Sequence, residues 1–312
     1  MDEDFPRTLP EFETRFSTEA ACREYLVKLR WPQGFVCPRC QSRQAWLSTR
    51  GLWVCRGCPF QISTTAGTIF QDTRKPLTLW FRAIWWVTSQ KNGASALGIQ
   101  RILGLGSYET AWTWLHKLRR AMIRPDRERL DGRIEVDETF IGGLEEGHRG
   151  RGIVRKALVI IAAQEDGNGI GRIRLKRLPT ASRDVLHGFI QDSILPGSTV
   201  RTDGLNAYRD MRDYQHELVV IRRQKENAIT LLPRVHRVAS LLKRWILGTH
   251  QGAISNAHLD YYLDEFTFRF NRRHSASRGK LFFRLMQNAV VTAPAPYNSI
   301  IKNIHDRPNN NR

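Results

Sequence analysis

The 312-residue sequence has no apolar run long enough to span a bilayer, which excludes a protein anchored by membrane-crossing helices. Its opening residues, Met1, Asp2, Glu3 and Asp4, are acidic, and no basic stretch leads into an apolar one. That argues against secretion and for a cytoplasmic location. Internal repeats are missing too, so a repeat architecture is not expected. Cysteine is scarce: there are five, four of them in two close pairs, with Cys22 alone. In a cytosolic chain, close pairs point to a metal rather than to disulfides. Acidic charge is also in short supply. Against 49 Lys and Arg stand 30 Asp and Glu, a net charge of +19, with a sequence pI near 10.4. Such a polycation binds polyanions unless its charges are neutralised internally, and nucleic acid is the leading partner. An acidic membrane surface is the rival.

Several segments can be marked off along the chain. Residues 1–33 read as one amphipathic helix with its lead-in: Thr18 caps it, and Leu26 and Leu29 share a face with Cys22, which makes Cys22 a core residue. Residues 34–70 hold the paired cysteines. Residues 76–124 read as helices punctuated by glycines, and a basic helix over 107–122 fits either a helix-turn-helix DNA-binding domain or a plain three-helix linker. Residues 131–292 alternate strands with helices. Strands are expected at 132–140, 156–163, 171–178, 198–202 and 217–221, and long helices at 236–247, 256–272 and 280–291. Three neighbouring strands, then alternation, then a helical cap describe an α/β fold of the ribonuclease-H kind, with a mixed sheet and flanking helices. The polar stretch 293–312 reads as a flexible tail.

Cys37-Pro38-Arg39-Cys40 and Cys55-Arg56-Gly57-Cys58 give two C-x2-C turns with fourteen residues between them. Two thiolates from one tight turn can reach one ion, and a second turn completes a tetrahedral zinc site with a hairpin between. Four free thiols or two redox pairs explain neither the equal spacings nor the hairpin-like Ala45–Leu47 and Leu52–Val54. Arg39, Arg43, Arg50 and Arg56 surround the knuckles and favour a DNA-facing role.

The second constellation is acidic. In Arg133–Gly143, side chains alternate across a strand, so Glu135 and Asp137 share one face and Glu138 the other. An acid in an apolar strand is costly without a partner, and a metal ion offsets that cost. Asp203 ends a second expected strand, just before Gly204. Two aspartates at adjacent strand ends can bridge a pair of Mg²⁺ ions, the arrangement that activates a nucleophile and stabilises the leaving oxygen of a phosphodiester.

The strings V-D-E-T-F-I-G-G, T-D-G-L-N-A-Y and L-D-E-F-T-F-R-F-N-R-R (263–273), behind the four-cysteine ribbon, resemble the zinc-ribbon insertion-sequence transposases of the ISXO type over about residues 20–290. The resemblance implies a ribonuclease-H-like DDE-type catalytic domain with Mg²⁺ or Mn²⁺ on Asp137 and Asp203. It also implies double-stranded DNA as partner, both element ends and target, with the N-terminal domains recognising terminal inverted repeats. A homo-oligomer on DNA is expected on the same ground. The family's third acid starts a helix, with a Lys or Arg two turns on. Here Lys243 fits the basic position, and seven residues before it stands His236 rather than Glu. Imidazole can ligate a divalent ion but suits transition metals better than Mg²⁺. His236 is therefore either a ligand or an ordinary helix-start residue, and Glu226 and Asn227 lie nearby as substitutes. Three functions follow: a transposase that cleaves and joins strands, a DNA-binding protein with an inert domain, or a hydrolytic nuclease or resolvase. In 263–273 the phenylalanines read as core, and Asn271, Arg272 and Arg273 as candidates for contact with the DNA backbone.

Overall fold

The computed structural model describes residues 3–124, 127–142, 156–219, 231–252 and 254–302. The chain divides into two compact units, one formed by residues 1–124 with 275–304, the other by 125–274 with 305–312. No helix among the described residues is long and apolar enough to cross a membrane.

In the first unit, the stretch read as one helix forms two: α1 (Leu9–Arg15) and α2 (Glu19–Arg30). Each opens on a threonine whose side chain accepts a backbone N–H, Thr8 from Glu11 and Thr18 from Ala21. The ribbon follows as a three-stranded antiparallel sheet, β1 (Ala45–Leu47), β2 (Leu52–Cys55) and β3 (Gln61–Ser63). Three helices succeed it: α3 (Leu77–Ser89), α4 (Ala96–Leu103) and α5 (Tyr108–Ala121). Gly104 ends α4 with φ of 60°, a left-handed turn suited to glycine, and Ser107 caps α5. A helix, a tight turn and a second helix are thus present, with α3 before them.

After the second unit, the chain returns to the first as α9 (Arg278–Ala289) and α10 (Tyr297–Ile301). The helices between α5 and α9 belong to the second unit. Residues 280–291 had been expected to close the α/β domain, but their apolar face completes the aromatic core of the first unit. The Phe282 ring lies 5.5 Å from Phe12, 5.9 Å from Phe81 and 5.8 Å from Trp85, edge-on to all three. Gly279 shows how closely the segments meet: a Cβ there would fall 1.7 Å from the Pro6 carbonyl oxygen. Within the expected flexible tail, residues 297–301 form α10, whose Ile300 is fully buried. The tail beyond residue 302 lies outside the described residues.

The second unit is built on a five-stranded sheet of order β6-β5-β4-β7-β8, comprising β4 (Arg133–Ile141), β5 (Ala157–Asp166), β6 (Gly169–Leu178), β7 (Thr199–Thr202) and β8 (Gln215–Leu218). Each of the first three strands is antiparallel to the next, and β7 and β8 run parallel to β4. In β5, alternate residues enter opposite cores. Ile160 and Ala162 pack with Leu186, Phe189 and Ile190 of α6 (Arg183–Ser193). Val159, Ile161 and Ala163 pack with Val235, Val238 and Leu242 of α7 (Pro233–His250) and with Leu263 and Phe266 of α8 (Leu259–Phe270). A strand covered on both faces must be apolar throughout, which is why β5 reads as a continuous apolar run. Three antiparallel strands, two parallel ones and helices on both faces make the ribonuclease-H-like layout.

Candidate functional site

The four paired cysteines converge as their spacing requires: all four sulfurs lie within 4.8 Å of one another. Cys37 and Cys58 are 3.7 Å apart and Cys40 and Cys55 3.5 Å. A tetrahedral zinc with Zn–S bonds of about 2.3 Å requires sulfurs about 3.8 Å apart, so the donor set fits that ion. Burial pushes the Cys55 thiol up, but N–H groups of Gly57 and Cys58 and the neighbouring thiols outweigh it and bring the pKa down to about 6, readying a thiolate. Cys22 stands apart, fully buried, its thiol pushed up to about 12 by burial and by Glu19. It is a core residue, as its helix face implied.

The acidic site is assembled from three distant segments. Parallel pairing sets Arg133 of β4 against Thr199 of β7 and Glu135 against Arg201. Asp203 follows β7 directly, and it comes close enough to Asp137 for its charge to act on that carboxyl. Asp137 pairs with Ile161 across β5, and Ile161 belongs to the core under α7, so Asp137 faces that helix. From α7, His236 brings its Nε2 to 3.9 Å from Asp137 Oδ2. Burial, then the charges of Glu138 and Asp203, push the Asp137 carboxyl up to about 7, although it accepts the Glu138 N–H at 2.9 Å. Asp203 is shaped by its turn: its Oδ1 accepts the Leu205 N–H at 3.0 Å, and its carbonyl accepts the Thr202 hydroxyl at 3.0 Å. Behind it, His216 Nε2 lies 2.8 Å from Thr202 Oγ1. Lys243 follows His236 by nearly two turns of α7, about 10 Å along the axis. It is exposed and makes no ion pair among the described residues. The structure thus brings Asp137, Asp203 and His236 together and puts Lys243 further along the same helix face. The substitutes Glu226 and Asn227 fall outside the described residues.

Two acids were left without roles by the sequence, and each has one. Glu138 faces the α6 side, where it accepts the Tyr208 hydroxyl at 2.6 Å; burial raises its pKa despite that bond. Glu135 is fully buried and sits against the start of α7. Its Oε2 accepts the N–H groups of Arg234 and Val235 at 2.7 and 3.0 Å, and its Oε1 accepts Arg234 Nη1 at 3.0 Å. Arg201 Nη1 lies 3.6 Å away. Free N–H groups and the positive end of a helix dipole make this a favourable place for a carboxylate. Arg234 spends its other donors on Glu165 and the Gly167 and Gly169 carbonyls. An acid in an apolar strand signals that a partner is needed, but it does not name Arg234, 99 residues on.

Two expected DNA-contacting residues are engaged inside the protein. Asn271 accepts the Ile173 N–H at 2.7 Å and donates to the Ile173 carbonyl at 3.1 Å, so it extends β6. Arg273 donates to carbonyls of Ile170, Gly171 and Phe270. Arg272 stacks over Phe268, with its guanidinium carbon 4.2 Å from the ring centroid.

Asp137 lies at the middle of β4 rather than at its end as expected, and only Asp203 follows the end of a strand. A ribonuclease-H-like domain with acids clustered on neighbouring strands, preceded by a four-cysteine ribbon, defines a class of nucleic-acid-processing proteins. Residues 129–271 match the ISXO2-like transposase domain, and residues 17–61 match the transposase zinc-ribbon domain. Two segments of the chain thus match domains of zinc-ribbon insertion-sequence transposases. It is similar to an uncharacterized protein in transposable element ISH50 of Halobacterium salinarum, with 25% identity over 276 residues, spanning 81% of this chain and 91% of that one. Among solved structures, a chain of the simian T-cell lymphotropic virus intasome in complex with PP2A regulatory subunit B56 gamma aligns over 59% of this chain and 70% of its own. Its identity is 15% and its TM-score 0.29, too loose a superposition to bear on the fold.

Proposed function

We propose that the protein is a DNA transposase that binds its element's terminal inverted repeats, cleaves strands there and joins the ends to target DNA. The observation that carries this reading is the imbalance around Asp137. The charges of Glu138 and Asp203 act on Asp137, no Lys or Arg among the described residues makes an ion pair with it, and that carboxyl is held near neutrality by burial and like charge. Oxygen donors in surplus of charge are the chemistry of a hard divalent cation. Mg²⁺ or Mn²⁺ bound there would supply the charge that activates an oxygen nucleophile and stabilises the departing one.

In this reading Asp137 and Asp203 would hold the ions. His236 approaches the same carboxyl, and Lys243 meets a DNA phosphate from the same helix face. In the first step a water oxygen attacks phosphorus, the P–O3′ bond breaks and the 3′-oxygen leaves as a hydroxyl. In the second, that 3′-hydroxyl attacks a target phosphodiester, so one bond forms as another breaks. Imidazole in place of a third carboxylate favours Mn²⁺ over Mg²⁺.

The test is strand cleavage and joining on a labelled duplex carrying the terminal repeat, in each metal, with wild type, Asp203→Ala and His236→Ala. Joined products that vanish in Asp203→Ala support the transposase. Cleavage without joining indicates a hydrolytic nuclease. Tight binding without cleavage in either metal leaves a DNA-binding protein with an inert domain.

A further inference from the structure

The first unit contains a cleft of about 730 Å³ that the chemistry above does not use. Its walls come from the ribbon turn around Gly51, the edge of β3, the start of α2 and the segment leading into α3. Four cations line it: Arg23, Arg50, Arg74 and Lys75. All are exposed, and none has an ion-pair partner among the described residues. Its one acid, Glu19, is already engaged, accepting the Leu77 N–H at 2.8 Å at the N-terminus of α3. That bond ties α2 to α3, while Arg30 ties α2 to the ribbon through the Ser63 and Thr64 carbonyls at 3.0 and 2.6 Å. The walls are therefore fixed before any ligand arrives. Gly51, at φ of 74°, lets the Arg23 guanidinium lie against the ribbon turn, since a Cβ there would fall 2.8 Å from its Nη1. The remaining polar lining is six serine and threonine residues; there is no Asn or Gln. Thr64, 95% buried, keeps its Oγ1 without a hydrogen-bond partner.

We propose that this cleft is a clamp for the phosphodiester backbone of duplex DNA, one that holds the DNA without reading its sequence. The inference rests on the DNA-binding reading above and adds where and how the DNA is held. Cations and hydroxyls are the groups that contact phosphates, and the amide side chains that pair with adenine are missing. Arginine can also pair with guanine, a contact whose loss would weaken one duplex more than the other in the test below. Because Glu19 occupies the start of α3, phosphate is bound by side chains rather than by a helix end. The clamp fixes register for whatever element reads the terminal repeat, and it weighs equally on element ends and unrelated DNA.

The test uses the full zinc-loaded chain and fluorescence anisotropy over a salt series, with a duplex carrying the element end and a scrambled duplex of equal length. For the quadruple variant R23A/R50A/R74A/K75A, the slope of log affinity against log salt falls by about 3 to 4, roughly 0.9 per lost phosphate contact, and by the same amount on both duplexes. Lysine at the three arginine positions restores the slope. Zinc content and melting temperature check the fold. If the quadruple variant fails that check, R74A and K75A are read singly, each lowering the slope by about 0.9. An unchanged slope overturns the clamp, as does a loss confined to the element end, or an RNA or acidic peptide that displaces duplex DNA at lower concentration. If wild type binds neither duplex, the transposase reading itself fails.

Discussion

Glu135 and Asp137 lie two residues apart on the same face of β4, yet the protein treats them in opposite ways. Near the start of the strand the acid is neutralised from within: Glu135 has two backbone N–H groups, Arg234, and Arg201 nearby. At mid-strand no Lys or Arg among the described residues makes an ion pair with Asp137, and burial, Glu138 and Asp203 hold its carboxyl near 7. The first acid is a latch that docks the start of α7 on the sheet. The second, presented with His236 by that docking, is the carboxyl we propose as the seat of a divalent cation. A buried carboxylate is thus structural or reactive according to which groups face it, not according to its place in an apolar strand.

Substitutions can break this comparison. Asp137→Asn has the largest expected effect, lowering strand cleavage about ten-thousandfold, or ~5.4 kcal/mol of transition-state stabilisation, in a gel assay with Mn²⁺. Activity within tenfold of wild type would put the cation elsewhere. Glu135→Ala comes next. It strands Arg234 and the α7 N–H groups and costs about 3–5 kcal/mol in denaturant unfolding, with faster amide exchange over 233–240. A loss under 1 kcal/mol would mean that the latch carries no weight.

Asp137→Asn sharpens the contrast further, because without divalent ions it should make the fold more stable. The folded pKa is raised above the unfolded value, so the folded state binds the extra proton between about pH 4 and 7. Wild type therefore loses stability as pH rises through that window, and the asparagine variant does not. Above pH 7 its advantage is on the order of 2–4 kcal/mol, shrinking toward zero near pH 4. A variant no more stable than wild type at pH 8 would show that Asp137 is already compensated. Tyr208→Phe has the smallest effect, about 1–2 kcal/mol of stability from the lost bond to Glu138, with cleavage lowered less than in Asp137→Asn.

The parts legible in the sequence are those whose geometry is local. The cysteine turns carry their own spacing, so the ribbon was readable from Cys37 to Cys58. The alternation in β4 and the terminal position of Asp203 were readable because a strand's period is fixed. What was not legible depends on distant partners. The amphipathic pattern of α9 says that Phe282 needs a core, but not that the core is Phe12, Phe81 and Trp85. Gly279 reads as an ordinary helix-start glycine, and only its approach to Pro6 explains it. Asn271 and Arg273 look free in a basic string, yet the backbone of β6 and its approach takes their hydrogen bonds. Glu135 and its latch were half readable: the need for a cation is in the strand, its identity in a helix 99 residues away.

The most direct test of the cation seat is an anomalous-scattering map of the protein bound to an element-end duplex and soaked in Mn²⁺. The account expects a manganese peak shared by the Asp137 and Asp203 carboxylates, within about 2.2 Å of both, and none at Glu135. A peak at Glu135 and Glu165, or saturation of other surface sites with nothing between Asp137 and Asp203, would contradict it.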